Sequence, residues 1–344
     1  MNHNSILVIL TGGTICSSTN EKGQRYSDAG NVKIIEAFKK SHSPFADKVH
    51  FETMTPTDIL SENMTLDAWN TLITTLRDQI DWSHYSGVIM LHGTDTLAYT
   101  ASLLSILLPG ITIPVCMVSS QLPLDYEQTN GHANFRASVE LIMNGIAPNV
   151  YAVYRNGDGV IYVHFGAHLL QCANYSEEFF SVDAMAVPDS DNAQLAGIPF
   201  ETDNLLLNRV GELTPCVQKI APFVGINYDA YDLEGVKAIV HGTYHSDTVC
   251  VERKNGHGNY SRCSILHLMD RCRNQGIQLF LAPCSPSAYK YESTGDILAN
   301  GAHHICGVTN EMAYVKTLVG CALSLSNEEL REFVNRSINH EVVY

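Results

Sequence analysis

The chain has 344 residues, of which 45% are hydrophobic and 17% charged, and it carries a formal net charge of −15 at pH 7. A chain of this length can form two domains with a large core. The acidity argues against binding to nucleic acid or to an anionic membrane, because both need clustered Lys and Arg side chains, and an anionic substrate would have to be held by local donors.

The first predicted strand is the apolar run at residues 6–10, which ends in Thr11-Gly12-Gly13-Thr14-Ile15. Continuous apolar runs of this length are typical of strands buried on both faces of a parallel sheet. Two glycines after a strand allow a tight turn and a close approach of the backbone to a ligand. Thr14 therefore lies on a turn, where its hydroxyl is free to act as a nucleophile.

Residues 16–31 are polar and show no hydrophobic period, which predicts a mobile loop with Tyr26 as its aromatic side chain. Loops of this kind exclude water and complete a site. A helix is then predicted at residues 32–40 and a strand at 48–54. The segment Ser61-Glu62-Asn63-Met64 leads into a predicted helix at 66–79, for which Thr65 is the expected N-cap.

The motif His92-Gly93-Thr94-Asp95-Thr96 separates an apolar run at residues 88–91 from a helix pattern at 99–108. Ligands of open α/β sheets bind at the carboxyl ends of strands, so Thr94 and Asp95 are expected beside a substrate. A hydroxyl next to a carboxylate also suits proton transfer. The alternative interpretation is an Asp/Thr N-cap on the next helix. If the strands before Thr14 and Thr94 share one sheet, both threonines reach the same edge.

The remaining patterns predict an α/β fold in two domains. A strand at 114–118 ends at Ser119-Ser120-Gln121, a helix follows at 133–143, and the alternation continues to about residue 185. This predicts a doubly wound, mostly parallel sheet in an N-terminal catalytic domain at 1–187. An inter-domain linker is predicted at 188–216 and a smaller C-terminal α/β domain at 217–344. Its elements are strands at 238–240 and 277–281 and helices at 264–274, 295–300, 311–323 and 327–335.

Cysteine and histidine spacing give expectations about compartment and metals. The ten cysteines are scattered without a CxxC pair, and the start of the chain shows no signal peptide. This pattern favours reduced thiols and a cytoplasmic protein. The fifteen histidines show no convincing ligand spacing, so neither a metal nor a cofactor is expected.

The two threonine motifs, TGGTI at 11–15 and HGTDT at 92–96, together resemble the asparaginase/glutaminase amidohydrolases, in particular the cytoplasmic type I branch. Further matches lie at residues 61–64, 119–121 and 236–240, so the resemblance covers nearly the whole chain. It implies hydrolysis of L-asparagine to L-aspartate and ammonia through an acyl-enzyme. The implied partner is a small-molecule amino-acid amide, and the implied assembly is a homodimer or homotetramer.

The resemblance also implies roles for individual residues. Thr14 would attack the amide carbonyl with Tyr26 beside it, and Asp95 would polarise Thr94, which positions the water that cleaves the ester. A main-chain amide, that of Gly13 or Thr94, would stabilise the oxyanion. Ser61 would donate to the substrate carboxylate, Glu62 would accept from its ammonium, and the Ser120 carbonyl would accept from the leaving amide. The expected substrate-binding set is Gly13, Ser61, Glu62, Gly93 and Ser120.

One family residue is missing. The family mechanism uses a lysine that closes a run of the form Leu-Leu-Arg-Gly-Asn-Arg-x-x-Lys. The best match here is residues 169–177, which places Glu177 at the lysine position. Several explanations stay open: His164 or His168 supplies a base, another cation such as Lys22 or one from a neighbouring subunit reaches the site, the pocket takes a bulkier or N-substituted amide, or the protein is a weakened, ligand-binding homologue.

Two other function classes are less consistent with the sequence. A nucleotide-binding module is suggested by Thr-Gly-Gly-Thr after a strand, but the chain lacks GxGxxG and the GK[ST] lysine. A glutaminase subunit acting on charged tRNA normally carries an additional N-terminal domain, whereas this chain starts at the first strand. Its acidity also disfavours RNA.

Overall fold

The computed structural model describes residues 4–19, 22, 25–27, 33–182, 205–253, 260–285 and 291–343, with only the backbone described for residues 18, 19 and 25–27. The chain divides into two compact units, Met1–Val210 and Gly211–Tyr344. Most of the linker predicted at 188–216 lies outside the described residues, so its extent stays a prediction.

The first unit contains eight strands and four α-helices in its described part. The strands are β1 (Ser5–Leu10), β2 (Ser17–Thr19), β3 (Arg25–Ser27), β4 (His50–Met54), β5 (Gly87–Leu91), β6 (Val115–Val118), β7 (Val150–Arg155) and β8 (Ile161–Phe165), and the helices are α1 (Lys33–Lys39), α2 (Leu66–Asp78), α3 (Leu97–Leu107) and α4 (Gly131–Met143).

Six of these strands form one sheet in the order β4-β1-β5-β6-β7-β8. All neighbouring pairs are parallel except β7 and β8, which form an antiparallel pair. Strand β5 is buried along its whole length, as its apolar sequence predicts. From β1 the chain continues to β4 on one side and then crosses to β5 on the other side of β1, after which it runs through β6 to β7. The topological switch point therefore lies between β1 and β5. The prediction of a doubly wound, mostly parallel sheet is confirmed.

The helix after β4 begins as predicted, and the loop after β1 differs from the prediction. The side chain of Thr65 accepts a hydrogen bond from the Ala68 N–H and caps α2. Residues 16–31 were predicted to lack secondary structure, but the backbones of β2 and β3 pair as a short antiparallel ribbon. Three-residue strands carry too few side chains to show a period of two, so the pattern could not reveal them.

The second unit has a four-stranded parallel sheet in the order β12-β11-β10-β9. Two of its strands were not predicted, because Val-Gln-Lys-Ile and His-His-Ile-Cys show neither an apolar run nor clear alternation. The predicted helices are present with small shifts in their ends. The elements are β9 (Val217–Ile220), β10 (Ala238–His241), α5 (Ile265–Gln275), β11 (Gln278–Cys284), α6 (Glu292–Ala299), β12 (His303–Cys306), α7 (Asn310–Ala322) and α8 (Asn327–Asn335).

A fully buried ion pair lies in the second unit. Lys316 Nζ donates to Glu341 Oε1 at 2.6 Å, and neither side chain is exposed. Burial raises the pKa of Glu341, but the Lys316 charge and two backbone N–H donors outweigh it and hold that pKa below its ordinary value of 4.5. Because the folded pKa is depressed, the stabilisation is complete above pH 4.5 and is lost as the pH falls through the folded value.

Replacing Glu341 by glutamine is expected to lower the free energy of unfolding by about 3–5 kcal/mol at neutral pH, because it leaves the Lys316 charge buried without its partner. Urea unfolding of the full chain measures this loss. Glu332→Gln, at an exposed position on α8, serves as the control and should change the midpoint little. Equal midpoints for the two variants would mean that the buried pair does not contribute to stability.

In the described part of the chain, no helix combines the length and the apolar character needed to cross a membrane.

Candidate active site

The two threonine motifs leave the same edge of the first sheet. Strands β1 and β5 are parallel neighbours with Leu10 opposite Leu91, so both motifs start at the switch point, where open α/β sheets bind ligands. The backbone N–H and the hydroxyl of Thr11 both donate to the Leu91 carbonyl, at 3.1 and 2.8 Å. The start of the loop that follows β1 is thereby held against the end of β5.

Two glycines bring the loops into backbone contact. Gly13 has a φ of 82°, and a Cβ added there would overlap the Cα and N atoms of Gly93. A Cβ at Gly93 would lie 2.6 Å from the Cβ of Ser61 and 3.0 Å from the Cα of Gly13. Thr14 and Thr94 each follow one of these glycines, so their Cα atoms are within about 12 Å of each other. Both threonines therefore lie at the same sheet edge, and their facing one small molecule stays a prediction.

Ser61, in the segment between β4 and α2, is hydrogen-bonded to Asp95. Its hydroxyl donates to Asp95 Oδ2 at 3.1 Å and accepts from the Asp95 N–H at 3.2 Å, while its carbonyl accepts from the Thr96 hydroxyl at 3.0 Å. Thr96 is the N-cap residue of α3, and its side chain makes no capping hydrogen bond to that helix as described. The alternative interpretation, an Asp/Thr N-cap on this helix, is thus met by the position of Thr96 but not by a side-chain capping bond, and the Asp95 carboxylate bonds to Ser61.

Removing the Ser61 hydroxyl with Ser61→Ala is expected to lower kcat/KM about 10- to 100-fold. A hydrogen bond to a charged group contributes about 1.5–3 kcal/mol, and its loss frees the Asp95 carboxylate to rotate. Ammonia release measured against substrate concentration tests this. Ser138→Ala is the matched control, because Ser138 is equally buried but its hydroxyl bonds only within α4. Parallel losses in both variants would indicate a general packing effect.

The two main-chain amides proposed for the oxyanion differ in availability. The Gly13 N–H donates to the Ile59 carbonyl at 2.8 Å, in a parallel bridge between residues 12 and 59. No bond from the Thr94 N–H to another backbone carbonyl is present among the described residues. The Gly13 N–H is therefore already bonded within the backbone, and which of the two amides would serve as oxyanion donor stays a prediction, as does the substrate-binding role of Gly13.

A cavity of about 340 Å³ opens beside Thr94 and Asp95. Residue Glu177 lies in its wall, so the structure brings this carboxylate and the HGTD motif to one cavity. Thr14 and Glu62 are not in that wall; Thr14 is half-buried and Glu62 exposed. The cavity is lined by Thr94, Asp95, Gln121, Tyr154, Gln171, Cys172, Ala173, Asn174, Tyr175, Ser176, Glu177 and Phe179.

The candidate histidines do not line this cavity. His164 is buried on β8, where its Nδ1 contacts the Ser181 hydroxyl and burial lowers its pKa to about 4. His168 is also buried and packs edge-on against Phe165. His92 donates from Nδ1 to the Gly93 carbonyl at 2.8 Å, and burial lowers its pKa to about 4 as well. The candidates to replace the family's lysine were Glu177, His164 and His168. Of these, only Glu177 lines the cavity.

One further predicted residue, Ser120, lies near this edge. Ser120 follows β6, is fully buried and donates from its hydroxyl to the Leu122 carbonyl at 2.8 Å. Its neighbour Gln121 lines the cavity. The side chain of Tyr26 lies outside the described residues, so its position beside Thr14 stays a prediction. In the described ranges, no group of three or more His, Cys, Asp or Glu side chains is arranged to hold a metal ion.

Tyr154 is a cavity residue that the sequence did not identify. It lies near the carboxyl end of β7 and is 1% exposed, and its hydroxyl interacts with the side chain of Asn130. The same Asn130 amide also bonds to the Arg155 carbonyl and the Gln121 N–H, at 2.9 and 3.1 Å. Burial raises the pKa of Tyr154 to about 12, so the hydroxyl is neutral. A tyrosine inside an apolar strand has the pattern of a core residue, so the sequence offered no signal that distinguishes it.

Comparison with known proteins identifies one family. Residues 5–196 match the profile of the family described as Asparaginase, N-terminal. L-asparaginase of Thermococcus kodakarensis is 30% identical over 181 residues, which cover 50% of this chain and 52% of that protein. L-asparaginase 1 of Escherichia coli K12 is 31% identical over 144 residues, 42% of each chain. The chain thus spans about half the length, or less, of these two curated relatives.

A different relative aligns over more of the chain. It is one of the subunits of the glutamyl-tRNA(Gln) amidotransferase of Thermoplasma volcanium, and it is 22% identical over 351 residues, covering 98% of this chain and 81% of that protein.

Solved structures show the same fold. The thermostable L-asparaginase from T. kodakarensis has a TM-score of 0.72 at 20% identity, and the alignment covers 99% of both chains. L-asparaginase I from Vibrio cholerae has a TM-score of 0.68 at 20% identity, with the same coverage. A probable cytoplasmic L-asparaginase from Campylobacter jejuni has a TM-score of 0.69 at 16% identity, covering 96% of this chain and 99% of that one.

Proposed function

This chain belongs to the asparaginase family of amidohydrolases, and we propose that it hydrolyses the side-chain amide of L-asparagine to L-aspartate and ammonia. The observation that supports this most is the backbone contact between Gly13 and Gly93, which keeps Thr14 and Thr94 at one sheet edge. Asp95 and Thr94 line an adjacent cavity of about 340 Å³. In the proposal, an amide bound between the two loops would contact the Thr14 nucleophile, which lies outside this cavity wall, together with Thr94 and Asp95.

The proposed reaction has two steps. The Thr14 hydroxyl oxygen attacks the amide carbon, the carbon–nitrogen bond breaks, and the Thr14 proton ends on the departing nitrogen, which leaves an ester. Thr94, polarised by Asp95, then positions the water that cleaves the ester to a carboxylate and regenerates Thr14. The Thr94 N–H stabilises the oxyanion in both steps, because a fixed backbone donor needs no reorganisation as charge develops.

A second candidate is an amidase for an N-substituted asparagine or glutamine. Glu177 supports this alternative, because it lines the cavity and the resemblance places it at the position of the family's lysine. The relative from T. volcanium also shows that similar chains include a component of a glutamyl-tRNA(Gln) amidotransferase. Both alternatives retain amide hydrolysis and differ in what is attached to the amide.

An ammonia-release assay with L-asparagine, L-glutamine and N-substituted asparagines separates these proposals, with amine release measured for the last group. The proposal expects ammonia from L-asparagine in preference to L-glutamine. Release only from a substituted amide would favour the second candidate. Binding of these compounds without any product would reject hydrolysis and favour a ligand-binding protein.

The expected assembly and compartment belong to the same proposal. We propose a homodimer or homotetramer in the cytoplasm, with a small amino-acid amide as the ligand and without nucleic acid or membrane as partner. The net charge of −15 and the absence of a CxxC pair support this expectation. Light scattering in solution tests the assembly.

A further inference from the structure

We propose that Cys216 and Cys321 form an oxidation site in the second unit, where a hydroperoxide converts the two thiols reversibly to a disulfide. Neither residue is among those assigned to amide hydrolysis. Disulfides that form in a reducing compartment are usually transient and typical of thiols that respond to oxidants. The proposal therefore agrees with the reduced cysteines that the sequence predicts.

The contact between the two thiols is the first argument. Cys216 immediately precedes β9, and Cys321 lies in the last turn of α7. Although these residues are far apart in the sequence, their side chains are hydrogen-bonded to each other. Both are free cysteines. Because the two sulfur atoms are already neighbours, a bond between them requires only a short movement of the side chains.

Backbone hydrogen bonds hold the two cysteines in place. The Cys216 carbonyl accepts from the Lys237 N–H at 2.8 Å, which attaches it to the residue before β10. In the other direction, the Gly211 N–H donates to the carbonyl of Ala322, the last residue of α7, at 3.2 Å. The segment that carries Cys216 is thus attached to the sheet and also to the helix that carries Cys321, so the backbone maintains the contact between the thiols.

The two residues are buried but retain some contact with solvent. Cys216 is 7% exposed and Cys321 is 8% exposed, compared with 0% for Cys116 and 2% for Cys272. A small opening of this kind admits hydrogen peroxide, which is little larger than a water molecule, and keeps bulky oxidants out. The class of oxidant that suits this site is therefore a small hydroperoxide.

The surroundings favour the thiolate form of Cys216. The hydrogen bond with the Cys321 thiol lowers the pKa of Cys216 below its ordinary value, and a hydrogen bond with Thr214 and the charge of Lys237 act in the same direction. The same contact raises the pKa of Cys321, which stays protonated and donates to its neighbour. Since the thiolate is the reactive form of cysteine, Cys216 is the residue that attacks the oxidant.

The reaction has two steps. The Cys216 sulfur attacks one oxygen of hydrogen peroxide, the oxygen–oxygen bond breaks, and the departing oxygen leaves as water after taking up a proton, so that Cys216 becomes a sulfenic acid. The thiolate charge is then gone, and Lys237 favours loss of the Cys321 proton. The Cys321 sulfur attacks the Cys216 sulfur, the sulfur–oxygen bond breaks, and a second water leaves. In total, two protons and two electrons pass from the thiols to the peroxide.

The test treats the reduced full chain with a small excess of hydrogen peroxide, alkylates the remaining thiols and maps the peptides without reduction. We expect the first bridge to join the peptides that contain Cys216 and Cys321, and dithiothreitol to remove it. In Cys321→Ser, a sulfenic acid should accumulate on Cys216, where dimedone traps it. A first bridge between other cysteines, or oxidation of the exposed Cys250 while Cys216 and Cys321 stay reduced, overturns the inference.

Cys272→Ser is the matched control, because Cys272 is buried in the same unit and burial raises its pKa to about 11. It should leave the rate of bridge formation unchanged, and an equal loss in Cys272→Ser and Cys216→Ser overturns the inference. Lys237→Gln, at an exposed position, should slow bridge formation about 2- to 5-fold, as loss of an exposed charge does, and Lys237→Arg should retain the rate. A rate that does not respond to the charge at this position overturns the assignment of Cys216 as the attacking thiolate.

Discussion

Thr14→Val is expected to lower ammonia release by at least about 10³-fold while leaving the fold intact. Loss of a single oxyanion donor costs about 10²–10³ in rate, and loss of the nucleophile should cost no less. Valine keeps the shape of threonine but has no hydroxyl, so no ester can form. Thr14 is half-buried in a short turn, and the substitution should change urea unfolding little. Thr94→Val should also abolish turnover, because the ester is then not hydrolysed.

The control for both threonine variants is Thr71→Val. Thr71 is exposed on α2 and its hydroxyl bonds only the carbonyl one turn earlier in the same helix. This variant should retain activity within a factor of about two, since changes at exposed positions rarely exceed about 0.5 kcal/mol. Full ammonia release by Thr14→Val or Thr94→Val would remove that residue from the mechanism.

Gly13→Ala is expected to reduce activity by at least about 10²-fold, because misplacing a reacting group by about 1 Å has an effect of this size. The added methyl group would overlap the backbone of Gly93, and neither backbone can move without shifting Thr14 or Thr94. The φ of 82° and ψ of −177° also lie in a region that is nearly restricted to glycine. Ammonia release and urea unfolding, measured together, report both consequences.

Gly145→Ala separates backbone strain from the loop contact. Gly145 has the same φ of 82°, but no atom lies within 4 Å of the position of an added Cβ. Its replacement should destabilise the fold by about 1–3 kcal/mol through strain alone and leave kcat/KM unchanged. If Gly13→Ala behaves like Gly145→Ala in both measurements, the contact between the two loops does not position the threonines.

The sheet edge carrying the threonines could be predicted because its signals are local. The runs before Thr11 and His92 are apolar without interruption, which identifies strands buried on both faces. The glycines and short polar residues that follow each run identify the loops. Parallel neighbouring strands then deliver these loops to one edge, as the pairing of β1 with β5 confirms.

Contacts between distant segments could not be predicted in this way. The hydrogen bonds of Ser61 with Asp95 join residues 34 positions apart, and no periodicity indicates them. Tyr154 was not identified as a cavity residue, because a tyrosine within an apolar strand has the pattern of a core residue. The strands β9 and β12 were missed since polar residues interrupt their short sequences.

The most direct test of the mechanism is a search for the acyl-enzyme. Thr94→Val is mixed with L-asparagine, and the protein is analysed by mass spectrometry and peptide mapping while ammonia is measured. The account predicts a burst of about one equivalent of ammonia and an aspartyl ester on Thr14 that persists because its hydrolysis is blocked. An ester on another residue, or a burst without any covalent adduct, would contradict the assignment of Thr14 as the nucleophile.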